Sequence, residues 1–138
     1  MGQLITTILS VILLILVQIG CVQIHTVFQM KNELLDVSFA TTKFISNRGA
    51  RSEADVTHAV EQFIKEEVKR KPYQLKDTDI VFSIKRSYAQ DQALWSHADE
   101  FRLQMELAIP AFSQLFLTDK PLIYAHRQGT INAMDYDL

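Results

Sequence analysis

The stretch that decides the fold is LITTILSVILLILVQIGCVQIHTVF, Leu4 to Phe28, with its continuation QMKNELLDVSFATTKFIS, Gln29 to Ser46. Leu4 to Phe28 holds 17 apolar residues in 25 and no Asp, Glu, Lys or Arg. As a helix rising about 1.5 Å per residue it reaches roughly 37 Å, enough to cross a bilayer. Past Phe28 the composition changes but the helical period does not. Val27, Met30, Leu34, Val37, Thr41 and Phe44 follow at alternating steps of three and four, the seam of a helix packed on one side. Gln29, Lys31, Asn32, Glu33, Asp36 and Lys43 are assigned to the other sides. The spacing therefore predicts one helix in two solvents, from Leu4 to about Ser46, with Gly49 as a left-handed stop after Ser46-Asn47-Arg48. The alternative is a break near the membrane surface and a separate amphipathic helix over 29–46.

The rest of the chain fits an anchored domain. All 30 formal charges of the 138 residues fall after Met30, which argues against a wholly soluble protein and against disorder. Residues 1–28 read as a transmembrane segment and 29–138 as one small soluble domain, short enough that partner subunits would add stability. A cleaved secretory signal is the rival for the head. It wants a basic start and a shorter apolar core, and Met1-Gly2-Gln3 is not basic, so the expectation is an uncleaved helix. Gln18-Ile19-Gly20-Cys21 faintly matches a lipoprotein cleavage box but lacks its aliphatic residue at position 18 and its basic start, and Met1 to Thr6 loosely matches a myristoylation pattern that a spanning helix would make redundant.

Ser52-Glu53-Ala54-Asp55 is a capping box, and Val56, Ala59, Val60, Phe63, Ile64 and Val68 form an apolar stripe, giving a second helix over 53–70 that ends before Pro72. Strict alternation in 79–86 and 100–109, and a third run at 122–131 after the Thr118 to Pro121 turn, predict a small antiparallel sheet within 79–131. The fold class is α+β. The 87–99 connection is long for a hairpin; it is read as functional or partly helical, with Ala93-Leu94-Trp95 as an apolar foot.

Chemistry is sparse. Net charge of −2 leaves no basic footprint for nucleic acid. One cysteine, Cys21, permits no internal disulfide. His25, His58, His97 and His126 show no metal-ligand spacing, and no glycine-rich phosphate loop occurs. His97, Asp99 and Glu100 lie together but are read as loop solvation, since neighbouring strand positions face opposite ways. No enzyme, cofactor or metal is expected. Within the span, Thr6, Thr7, Ser10, Gln18, Gly20, Gln23 and His25 interrupt the apolar run and either favour contact with other helices or satisfy their own carbonyls. Gln18 alone is deep enough to favour a partner.

This order of elements resembles the type IV pilin-like proteins, and more narrowly the TadE-like pseudopilins of tight-adherence pili. The resemblance is carried by Leu9 to Gly49, through Gln29-Met30-Lys31-Asn32-Glu33-Leu34-Leu35 to Arg48-Gly49, and by Phe101 to Pro110 through Phe116 to the last strand. It implies a membrane-anchored structural subunit of a pilus or secretion assembly. Its partners would be lipid, further copies or other pilin-like subunits, and platform proteins. Its assembly face would be Gln18, Val27, Met30, Leu34, Val37 and Phe44. Cleavage after Gly2 would put Thr7, not a glutamate, at the fifth mature position, so either the start is truncated or this is a divergent, unprocessed relative. Lys31, Lys43, Arg48 and Arg51 follow the span, and the positive-inside tendency taken alone would keep the soluble domain in the cytoplasm. The resemblance places it outside, and that location is the expectation. The other reading is a bitopic adaptor that holds another membrane protein without forming a filament.

Overall fold

The computed structural model describes residues 1–49, 51–71, 79–89, 91–109 and 122–132. One helix, α1 (Gly2–Ser46), is followed by α2 (Glu53–Arg70) and the strands β1 (Ile80–Tyr88), β2 (Glu100–Ala108) and β3 (Leu122–Thr130). The α+β order predicted from sequence is the one observed. α1 runs unbroken for 45 residues, so the alternative with a break at the membrane surface does not occur. The helix does not close through a left-handed glycine: Asn47 caps it at φ −93°, ψ 10°, and no described glycine has positive φ. The Arg48 N–H donates to the Ile45 carbonyl at 2.9 Å, which tightens the last turn and removes the need for a left-handed residue.

α2 begins as its capping box predicts. Ser52 is the N-cap and its hydroxyl oxygen accepts from the Asp55 N–H at 3.3 Å, while the same hydroxyl donates to the Asp55 carboxylate at 2.7 Å. Val56, Val60, Ile64 and Val68, each four apart, are fully buried, and Phe63 stacks on Phe44 of α1 with ring centroids 4.3 Å apart. Pro72, the Thr118 to Pro121 turn and Phe116 lie outside the described residues.

The sheet is antiparallel in the order β1-β2-β3. Ile84 pairs with Leu103 and Leu103 with Arg127, so inward positions line up across all three strands. The period-two pattern of β2 decides which face is which. Phe101, Leu103, Met105 and Leu107 are buried, whereas Arg102 is exposed and Gln104 and Glu106 are half-buried. The second half of α1 packs on the inner face of β2 and β3, with α2 against the helix from another side. Leu34, Val37 and Ile45 of α1 meet the strand residues in one core.

Gly129 is required by this packing. A Cβ there would stand 2.6 Å from Cζ of Phe101, directly across the β2–β3 ladder, and 3.0 Å from Cγ2 of Thr42. The Phe101 ring occupies that space and is itself held against Trp95 at 5.8 Å.

Candidate membrane anchor and assembly face

α1 divides into two halves by what covers it. Residues 1–19 are all exposed, and the most apolar 18-residue window has none of its residues buried by the chain. From Glu33 onward one face is covered: Glu33, Leu34, Val37, Ser38, Thr41 and Ile45 are buried. An exposed helix of this length with mean hydropathy 2.6 over its window is long and apolar enough to cross a membrane.

Most of the polar residues within the apolar half are spent on their own helix. The hydroxyls of Thr6, Thr7, Ser10 and Thr26 each donate to the carbonyl four residues back at 2.8–2.9 Å. His25 and Gln29 meet through their Nε2 atoms at 2.8 Å. Gln18 and Cys21 are exposed on the helix surface.

The expected assembly residues separate into classes. Leu34 and Val37 are completely covered by the chain's own residues. Val27, Met30 and Phe44 are half-buried against the same core, and Phe44 is further enclosed by Phe63 and by the Arg48 guanidinium, 4.4 Å over its ring. Gln18 stands apart from all of these in the uncovered half. The seam thus closes the chain's own domain, and its edges at Val27, Met30 and Phe44 remain within reach of a neighbour.

Glu33 corrects the sequence reading, which put it on the solvated side. It is only 8% exposed, and its Oε2 has no hydrogen-bond partner among the described residues. The signal was present in the spacing: position 33 is three after Met30 and four before Val37, which places it on the buried face. Burial pushes its carboxyl above the ordinary range, while the Lys71 ammonium pulls the other way and Asp36 pushes up. Lys71 itself reaches Asp36 at 3.4 Å.

The 87–99 connection is a second place where sequence reasoning fell short. β1 continues to Tyr88 past a bulge after Arg86, and the described residues beyond it contain no helix. Trp95 is the apolar foot, at 1% exposure, but Leu94 is 43% exposed. The segment is ordered around Arg86. Its guanidinium donates to the carbonyls of Asp91 at 2.8 Å, Gln92 at 2.7 Å and Leu94 at 3.1 Å, and lies 5.6 Å from the Trp95 ring. Asp99 is not solvated as expected; it is completely buried, 3.8 Å from that guanidinium, and accepts from the Ser96 N–H at 2.8 Å. Backbone bonds then tie the segment to everything around it: Trp95 N–H to the Arg51 carbonyl, Ile131 N–H to Asp99, and Ala98 N–H to Ile131. The connection is a structural clasp between α2, β1 and the end of β3.

No group of three His, Cys, Asp or Glu placed to hold a metal occurs among the described residues. The shallow groove between α1 and α2, lined by Arg48, Arg51, Asp55, His58 and Glu66, carries charges of both signs. No protein-family model matches the chain, and comparison with curated proteins and with solved structures likewise yields no match.

Proposed function

We propose that this protein is a membrane-anchored structural subunit of a pilus or secretion assembly, of the type IV pilin-like, TadE-like kind, with residues 1–28 in the bilayer and the α+β domain outside the cytoplasm. One observation carries the reading: a single unbroken helix is uncovered and apolar in its first half and forms the spine of a three-stranded antiparallel domain in its second. Such a helix can rest in lipid alone and later exchange lipid contacts for helix contacts, which makes assembly the activity.

Photo-crosslinkers at Val27 and Met30 in living cells test it. Capture of pilin-like subunits is the expected result; capture of a transporter or receptor instead would replace the filament reading by the adaptor. Protease added to intact, wall-stripped cells gives the orientation. Degradation of residues 47–138 with survival of the apolar half is expected, and full protection until lysis would exclude the pilus.

A further inference from the structure

We propose that α1 pairs with a second copy of this chain, parallel and about a two-fold axis, along the stripe Leu14, Gln18, Cys21 and His25. The inference rests on the reading of α1 as a membrane anchor and adds to it the partner and the face.

Three observations carry it. The first is the state of Gln18. In hydrocarbon a polar side chain is stabilised by a hydrogen-bonding partner, its own helix or another, and the hydroxyls of Thr6, Thr7, Ser10 and Thr26 have theirs in α1 carbonyls. The Gln18 carboxamide has no such bond to a described residue, and it is too exposed to be served by the chain's own domain. A carboxamide both donates and accepts. A parallel copy puts the identical group at the same depth, so two reciprocal hydrogen bonds close the pair. A different helix would need a polar group of its own at that depth, which the second copy supplies by symmetry.

The second is direction. At 100° per residue, the stripe points roughly 170° away from the mean direction of the buried α1 residues Glu33, Leu34, Val37, Ser38, Thr41 and Ile45. Two copies can meet there with both soluble domains on the outside. The third is continuity into water. The same direction leads to Asn32, Asp36, Phe39 and Lys43, all exposed, and Phe39 keeps 60% of its surface open, with the Arg127 guanidinium 5.7 Å from its ring. A partner helix on this side would cover it.

The test uses the full chain in its native membranes, oxidised with copper phenanthroline and resolved without reductant. A Cys21-linked homodimer is expected. In a Cys21→Ala background Leu14→Cys should link and Leu16→Cys, on the opposite side, should not. Gln18→Leu should lower the Cys21-linked fraction by at least about fivefold, with Trp95 emission unchanged because position 18 lies outside the folded domain. Equal linking at positions 14 and 16, linking insensitive to Gln18→Leu, or a Cys21 adduct only to another protein would overturn the pairing. Carbonate washing separates the two ideas: release into the supernatant overturns the anchor, whereas retention without linking overturns the homodimer alone.

Discussion

Replacing Arg86 tests whether the clasp holds the soluble domain together. Its side chain is 11% exposed and makes three hydrogen bonds of 2.7 to 3.1 Å to carbonyls within 91–94. Hydrogen bonds to a charged group contribute about 1.5–3 kcal/mol each when measured singly, but the three share one side chain and one segment, so they do not sum. The Glu53 contact, at 3.7 Å to a carboxylate 59% exposed, adds little. Arg86→Lys keeps the charge but has no planar fork to span carbonyls of Asp91, Gln92 and Leu94 at once, and should cost about 2–3 kcal/mol. Arg86→Met also removes the cation beside buried Asp99 and should cost about 3–5 kcal/mol.

The assay is built into the chain. Trp95 is its only tryptophan, buried in the segment that Arg86 holds. Urea unfolding of the full chain in detergent micelles, followed by Trp95 emission, should show a lower midpoint for Arg86→Lys and a red-shifted folded baseline for Arg86→Met. An Arg86→Met midpoint within about 0.5 kcal/mol of the unsubstituted protein, the scale of a neutral surface change, with an unshifted baseline would refute the clasp.

Gly129→Ala forces a Cβ to 2.6 Å from the buried Phe101 ring and should cost about 1–3 kcal/mol by overpacking, with Phe101→Leu in the same chain recovering part of the loss; thermal unfolding of the two variants checks this. Glu33 has a raised folded-state pKa, so the folded state binds its proton more tightly than the unfolded one. The penalty is full at neutral pH and fades as pH falls through the folded value towards the unfolded one. Glu33→Gln should therefore stabilise by about 1 kcal/mol at pH 7, with the advantage shrinking in acid; an advantage independent of pH would show that charge burial is not its source. Ala98 sits at φ 69°, where a Cβ costs about 1–2 kcal/mol. Ala98→Gly recovers that less about 0.4–1 kcal/mol of unfolded-state entropy, so denaturation should find it neutral to slightly stabilised and Ala98→Val clearly destabilised.

How much could be read in advance follows from where each signal resides. α1, α2 and β2 announce themselves because burial of one face repeats along a single element: steps of three and four for Leu34, Val37 and Thr41, steps of four for Val56 to Val68, steps of two for Phe101 to Leu107. The Arg86 clasp has no such signature. Its acceptors are backbone carbonyls of Asp91, Gln92 and Leu94, which carry no information in the side-chain sequence, and the Arg86 position looks like the solvated end of a strand. Asp99 is misread for the same reason, since its partners are a main-chain N–H and a cation thirteen residues away. Gly129 becomes meaningful only once the β2–β3 register sets it opposite Phe101.

The unbroken α1 has a mechanical consequence for any assembly. The uncharged segment ends at Met30 and the first fully covered residue is Leu34, so about one turn of helix separates the uncharged segment from the core. No linker stands between them. If the apolar half lies in a membrane as proposed, its tilt fixes the attitude of the sheet over that membrane. Two acidic groups near the boundary face the end of α2: Lys71 reaches Asp36 and lies close enough to Glu33 to oppose its desolvation. An approaching subunit thus meets a domain whose base is preset. Among the described residues, the surfaces open to it include the uncovered side of α1 and the exposed outer face of the sheet, where Val81 and Tyr124 flank Glu106 across the three strands. If both are used, one side of each subunit faces a helix and another presents a sheet. Such heterologous contacts propagate as a filament where the rotation between subunits does not close a ring, whereas the proposed α1 pairing by itself closes as a dimer.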